Sequence, residues 1–348
     1  MQKKALISVI LLLVVGFVIT VVLKPKSSST IELKMAHFFP ATHPVEKVLA
    51  PHWIEAVQEA TGGQVKITSY PGETLIKASD MYSGVVSGIA DIGISCFSYT
   101  RGRFPVLEVF ELPGITYENS KVSGKVAWEG IKKLNPKEVQ DTHLLMVFTT
   151  GPGHLLTRVP IHNLETLKGV EIRATGLSAK TLQILGAVPV AMAQPETYEA
   201  LSRGVVKGNL SPSEVLQGWR HAEVTSYTTI TPFLYNTLFF MTFNLDKWNS
   251  LSPKLQKAIS EANERVFEEL ALGLWDTQND TALNWAVTEK GMQKIDLTEA
   301  ETQRWINQVS SIQNEYVEKM DGMGLNGHEI LNTVKKLADK YNQEYGSN

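Results

Sequence analysis

The sequence predicts an α/β protein of two lobes, with a ligand cleft between them and one long helix spanning both. Three observations carry this. Short apolar strands alternate with amphipathic helices from residue 31 onward, the alternation restarts near residue 143, and one helical stretch runs from 252 to 287. Strands and helices alternating through short Gly/Pro joints are the pattern of mainly parallel sheets covered by helices.

The elements follow in order. "IELKMAHFF" (31–39) reads as a strand ended by Pro40. The segment 43–63 places Val45, Val48, Leu49, Trp53, Ile54 and Val57 on one helical face and stops at Gly62-Gly63. A strand is expected at 64–71, a helix at 74–90 and a strand at 91–97. The second unit opens with strands at 143–150 and around "GVEIRAT", then a helix at 177–187, a short strand "VPVAM" and a helix at 194–206. A hydrophobic strand is expected within 234–251. Ser252-Pro253 then starts the long helix well, since proline suits the first turn. A helix of that length would span about 50 Å, enough to cross two lobes. The expected division is 31–150 with 239–278 as lobe I, and 151–238 with 279–348 as lobe II.

Composition narrows the function. The 348 residues are 43% hydrophobic and 20% charged, an ordinary globular balance long enough for two domains. Net charge is −3 with both signs mixed along the chain, which argues against nucleic acid as a partner. Cys96 is the only cysteine, so no intramolecular disulfide or Cys-rich metal site can form, and it is expected in the core. Residues 1–30 read differently from the rest: Lys3 and Lys4 precede an apolar run to Leu23 and then "KPKSSST". This is an export signal. The run could just cross a bilayer core of about 30 Å. A cleaved signal peptide or an N-terminal membrane anchor is therefore expected, with everything after Ser27 exported.

No phosphate loop, G-x-S-x-G or H-x-x-x-H spacing is present, so no cofactor or metal is expected. His37 and His43 in "HFFPATH" are expected to be hydrogen-bonded rather than ligating. The conspicuous residue is Arg173 in "LKGVEIRATG". It follows the apolar pair Val170 and Ile172, where a strand approaches the lip of a sheet, and open sheets bind ligands at such ends. A guanidinium there needs an anion. A salt bridge to Glu171 or a neighbouring helix, or a bidentate grip on a ligand carboxylate, would each supply one.

The blocks "LETLKGVEIRATG", "LGAVPVAMAQPETYEAL" and "SRGVVKGNLSP" resemble, in order, the signature blocks of TRAP-transporter solute-binding proteins of the DctP type. "GGQVKITSYPGETL", "SGIADIGIS" and "FELPGI" are similar to further blocks, and the likeness extends over 31–320. The resemblance implies a periplasmic-binding-protein-like fold, a periplasmic location and capture of an organic acid for delivery to TRAP membrane permease subunits. It implies that Arg173 binds the substrate carboxylate. In the block G-x-x-D-G-x-E-N-P this chain has Lys207 for the Asp and Ser211 for the Asn, so a shorter hydroxyl replaces an amide. Gln194 stands where an aromatic is common before the block's Glu. Members that bind sialic acid carry a second arginine near the place of Gly153 and His154, so His154 becomes the candidate replacement donor.

Phe39, Phe97, Tyr235 and Trp219, the last expected on the helix after Ser211, are the candidate pocket aromatics. They suit an acid with an apolar or aromatic body. The expected function is thus a TRAP solute receptor for a small organic carboxylate. The alternatives are an exported hydrolase with an unrecognised acid/base pair in the cleft, and a tethered scaffold that has lost ligand binding.

Overall fold

The computed structural model describes residues 30–346. Apart from Thr30, the expected export segment lies outside the described residues. Among the described residues no helix is long and apolar enough to cross a membrane.

Two sheets form the centres of the two lobes. Strands β1 (Ile31–His37), β2 (Val65–Tyr70), β3 (Ile92–Cys96) and β4 (Thr142–Thr149), with β10 (Leu238–Asn244), make a five-stranded sheet in the order β2-β1-β3-β10-β4. Strands β5 (His154–Thr157), β6 (Glu171–Ala174), β7 (Val188–Ala191), β8 (Gly208–Ser211), β9 (Tyr227–Ile230) and β11 (Gln293–Asp296) make a six-stranded one in the order β11-β9-β5-β8-β6-β7.

The sheets are mixed rather than mainly parallel. β1 pairs parallel with β3, β6 with β7 and β8, and β9 with β11. β10 is antiparallel to β3 and β4, and β5 is antiparallel to β8 and β9. The cause is the chain path. It leaves the first sheet after β4 and returns through β10, so the outgoing and incoming strands run in opposite senses.

The two crossings are joined to each other. Thr150 N–H donates to Thr237 O (3.2 Å), Gly153 N–H to Tyr235 O (3.3 Å) and Thr237 N–H to Thr150 Oγ1 (3.3 Å). Gly153 is needed for this approach: a Cβ there would lie 2.3 Å from Tyr235 Cδ1 and 3.0 Å from the Ser211 carbonyl carbon.

Several elements differ from expectation for local reasons. The first helix opens as a wide π turn, Val45–Leu49, before the regular helix Ala50–Ala60. Pro51 has no N–H to give to the preceding turn, so regular bonding starts beyond it. The expected helix over 74–90 shrinks to Met81–Val86 after a 3-10 turn, Ala78–Asp80, and the left-handed Gly88 follows its end. The strand expected within 234–251 ends at Asn244, whose side chain accepts from Lys247 N–H and starts the helix Leu245–Asn249.

The long helix is present but interrupted. Ser252 caps it through Leu255 N–H, and it runs Pro253–Val266, widens to a π turn over Phe267–Ala271, and resumes as Leu274–Lys290 after Gly273. Its first half packs on Ala50–Ala60 and β4. Its second half sets Ala282 and Ala286 against Leu156, Val215 and Leu216 of the other lobe. The last helix, Gly327–Tyr345, packs on Ser120–Leu134. Glu118 N–H donates to Asn342 Oδ1 (3.0 Å) and Asn119 Nδ2 to Tyr345 O (3.0 Å), fixing it there. The C-terminal part of 279–348 therefore returns to the first lobe, because its apolar stripe (Ile330, Leu331, Val334, Leu337) finds its partner on that side.

Asn263 is the polar staple of this arrangement. It accepts from the indole of fully buried Trp53 (3.0 Å) and donates to Leu145 O of β4 (2.6 Å). Asn263→Ala leaves both groups buried and unpaired, at about 1–3 kcal/mol each. The expected outcome is a lower urea midpoint with an unchanged slope, measured by circular dichroism.

Candidate functional site

β6 and β8 lie side by side in parallel, with Arg173 opposite Asn209. Gly208 permits the packing there, since a Cβ would come within 2.6 Å of Thr157 Cγ2 and 2.7 Å of Ile172 Cδ1. Arg173 is 2% exposed. Its Nε donates to Met192 O (3.0 Å), and Nη1 donates to Asn209 Oδ1 (3.3 Å) and Ser211 Oγ (3.4 Å). Among the described residues no carboxylate lies within ion-pair distance of it, Glu171 included. The guanidinium is held by neutral acceptors, and its charge has no internal counter-ion.

A relay orients these acceptors. Asn209 turns its oxygen to Arg173, so its amide nitrogen donates to His221 Nδ1 (3.3 Å). Burial, and then the positive charge of Arg173, pulls the His221 pKa down to about 3, so the ring is neutral. Its remaining proton is therefore on Nε2, which faces the Gln194 amide nitrogen at 3.2 Å, and two donors cannot bond each other, so the amide is the other way round. A protonated Nε2 requires the amide oxygen there, which frees the Gln194 NH2 for another acceptor.

The cavity beside Arg173 is lined on the polar side by Ser211, Gln194, Thr175, Tyr99, Thr150 and Glu214. On the apolar side it is lined by Phe38, Phe39, Trp219, Tyr235 and Phe239. Phe38 and Phe39 have ring centroids 4.2 Å apart, and Phe38 stacks towards Trp219 at 6.0 Å. The lobes touch across the cavity. Gln194 N–H donates to Tyr99 Oη (3.1 Å), and His43 meets Glu214 (3.2 Å). Burial raises the phenol pKa values of Tyr99 and Tyr235, so both remain hydroxyl donors.

The structure thus brings together Arg173, Ser211, Phe39, Gln194, Trp219 and Tyr235. Trp219 follows the short helix Val215–Gly218 rather than riding on it. Two candidates lie elsewhere. Phe97 faces a second cavity of about 280 Å³, because the strand ends at Cys96, which borders the cleft, and Phe97 begins the 3-10 turn Phe97–Tyr99 that follows. His154 stands opposite Ser211 across β5 and β8, but its Nδ1 accepts from Thr231 N–H (3.1 Å) and it does not line the cavity. Burial pushes its pKa down to about 4. The structure adds Phe38, Tyr99, Asn209, Glu214 and His221 to the site. Phe38 adjoins Phe39 and Asn209 lies within "SRGVVKGNLSP", whereas Glu214 and His221 carry no local signal in the sequence. Cys96 is buried, and that burial raises its thiol pKa. His37 and His43 are bonded to Glu46 and Glu214 as expected.

A family model of the bacterial extracellular solute-binding proteins, family 7 (DctP), matches residues 35–320. The chain belongs to this family. The C4-dicarboxylate-binding periplasmic protein DctP of Rhodobacter capsulatus is 25% identical over 89% of this chain and 92% of its own. Among solved structures, a TRAP solute-binding protein from Rhodoferax ferrireducens T118 in complex with copurified benzoate superposes with a TM-score of 0.84. It is 26% identical and covers 90% of this chain and 99% of its own. A TRAP solute-binding protein from a marine metagenome, specific for aromatic acid ligands and in complex with metahydroxyphenylacetate, has the same TM-score of 0.84. It is 28% identical over 89% of this chain and 99% of its own. The two-lobed α/β fold of this DctP-family chain is the fold of those structures.

The second cavity holds one perturbed carboxyl. Glu111 accepts from Leu238 N–H (2.8 Å) at the start of β10, and burial pushes its pKa up to about 8. A carboxyl whose folded pKa lies above its unfolded value of 4.5 favours the fold in its protonated form, so stability declines as pH rises from there through about 8. The wild-type melting temperature should fall between about pH 5 and pH 8.5, and Glu111→Gln should flatten that fall. Parallel pH profiles in thermal melts would reject this if both proteins lose the same number of degrees.

Proposed function

We propose that this chain is a TRAP solute receptor for a small monocarboxylic acid with an aromatic or apolar body, which it delivers to a membrane permease. The observation that carries the reading is Arg173: a buried, fully oriented guanidinium with no carboxylate of the chain beside it. A ligand carboxylate supplies the missing anion by accepting from Nη2, the guanidinium nitrogen that, among the described residues, the bonds of Nε and Nη1 leave without a partner. The Ser211 hydroxyl and the Gln194 amide are further donors, and the Tyr99 hydroxyl, which also bonds the Cys96 sulfur, borders the same space. Phe38, Phe39, Trp219, Tyr235 and Phe239 form the walls. Aromatic acids bound by the Rhodoferax and metagenome relatives support the same ligand class.

The lobes we assign are 31–150 with 239–278, and 151–238 with 279–326, with the last helix counted to the first. Capture is by closure: contacts such as Tyr99 with Gln194 form only when the lobes meet, so a ligand that bridges them favours the closed state. The permease then reads closure rather than the ligand itself. Binding without turnover is expected, and neither the family nor its relatives support the hydrolase alternative.

Removing one partner of a buried charge pair costs about 3–5 kcal/mol, a hundredfold or more in affinity. Arg173→Ala should therefore lose benzoate binding by calorimetry while keeping the wild-type circular dichroism spectrum. Arg173→Lys should recover only part, because an ammonium cannot reproduce the planar fork. Unchanged benzoate affinity in Arg173→Ala would refute the reading.

A further inference from the structure

Glu214 lies in the same lining as Arg173 and is 4% exposed. A buried carboxylate needs hydrogen bonds on its oxygens. Here Oε2 has a partner, whereas Oε1 is not an enclosed atom and opens onto the space that the residue borders. Oε2 is 3.2 Å from His43 Nε2, and among the described residues no donor lies within hydrogen-bond distance of Oε1. His43 Nδ1 accepts from Val45 N–H (3.1 Å), so the ring is the neutral tautomer with its proton on Nε2. It donates a hydrogen bond and leaves the carboxylate charge uncancelled. Among the described residues no lysine or arginine pairs with Glu214 either.

The position is built. Glu214 N–H donates to Asn279 Oδ1 (3.0 Å), and Asn279 Nδ2 donates to Thr150 O (3.1 Å) of the crossing segment. The His43 ring is packed by Phe39 at 4.6 Å and by Trp219 and Trp275 at 6.0 and 6.1 Å. Gly218 leaves the space for the pair: a Cβ would lie 2.7 Å from Glu214 Oε2 and 3.2 Å from His43 Cδ2. On its other side Glu214 borders a groove with Thr42 and Gln217.

One cavity therefore carries an unneutralised cation and, beyond ion-pair distance from it, an unneutralised anion with a free lone pair. We propose that Glu214 is the specificity-determining residue of this site. It accepts a hydrogen bond from a hydroxyl or amino group on a ligand whose carboxylate Arg173 holds, and its charge turns away a second carboxylate. The inference rests on the carboxylate-receptor reading and extends it to the far end of the ligand. Like charges confined together in a site poor in water disfavour each other's ionised forms, so a diacid would have to bind partly protonated.

The test is calorimetry of the exported domain with benzoate, 3- and 4-hydroxybenzoate, 3-aminobenzoate and benzene-1,3-dicarboxylate. At least one hydroxy or amino acid should bind wild type about tenfold more tightly than benzoate, as a hydrogen bond to a charged acceptor supplies. The dicarboxylate should bind more weakly than benzoate. Glu214→Gln should collapse the hydroxyl-to-benzoate ratio and raise the dicarboxylate-to-benzoate ratio. Wild type that binds benzoate but gains nothing from a hydroxyl or amino group overturns the role of Glu214 alone, and needs no variant to fold. A preference that survives Glu214→Gln does the same. Wild type that binds no monocarboxylate overturns both this inference and the receptor reading beneath it.

Discussion

The molecule depends on keeping a guanidinium out of water without giving it an anion of its own. An isolated buried charge is among the least tolerable features a fold can carry, and neutral acceptors only partly offset its lost hydration. Met192 O, Asn209 and Ser211 hold Arg173 in one orientation, and the order Arg173–Asn209–His221–Gln194 fixes which way each amide and ring must face. The charge is placed in advance, so on the proposed reading an incoming acid would lose little to rearrangement.

Much of this was legible in the chain. Arg173 stands out because a charged residue breaks an apolar strand, and the alternation of strands and helices itself announces two lobes. What was hidden was non-local. That β10 runs antiparallel to β3 depends on where the chain re-enters the first sheet, which no local pattern states. Phe97 follows Cys96 by one residue, and that step moves it to another cavity. Glu214 within "SPSEVLQGW" reads as an ordinary solvated helix carboxylate. Only the arrival of His43 from the other lobe marks it out. The break at Gly273 was equally hidden, because a lone glycine within a helical pattern does not by itself end it.

The interrupted helix and the last helix also bear on how the lobes can move. The stretch 253–290 is anchored to the first sheet by Trp53–Asn263–Leu145, and to the second by Ala282 and Ala286. Its softest point, the π turn and Gly273, lies between the two anchors. Widened turns inside helices commonly occur where a helix must yield. The last helix adds bulk to one lobe only and so does not brace the gap.

The crossing strands have a further consequence. Thr150 and Thr237 are bonded backbone to backbone, and with Tyr235 they also border the cavity. If the closure proposed above pivots at these crossings, its pivot is part of the surface that borders the guest. A molecule too thick at that spot would act as a wedge on the axle, holding the jaws apart however well its acid end is gripped. Girth near the fulcrum, and not only charge at the tip, then decides which guests produce a fully shut receptor.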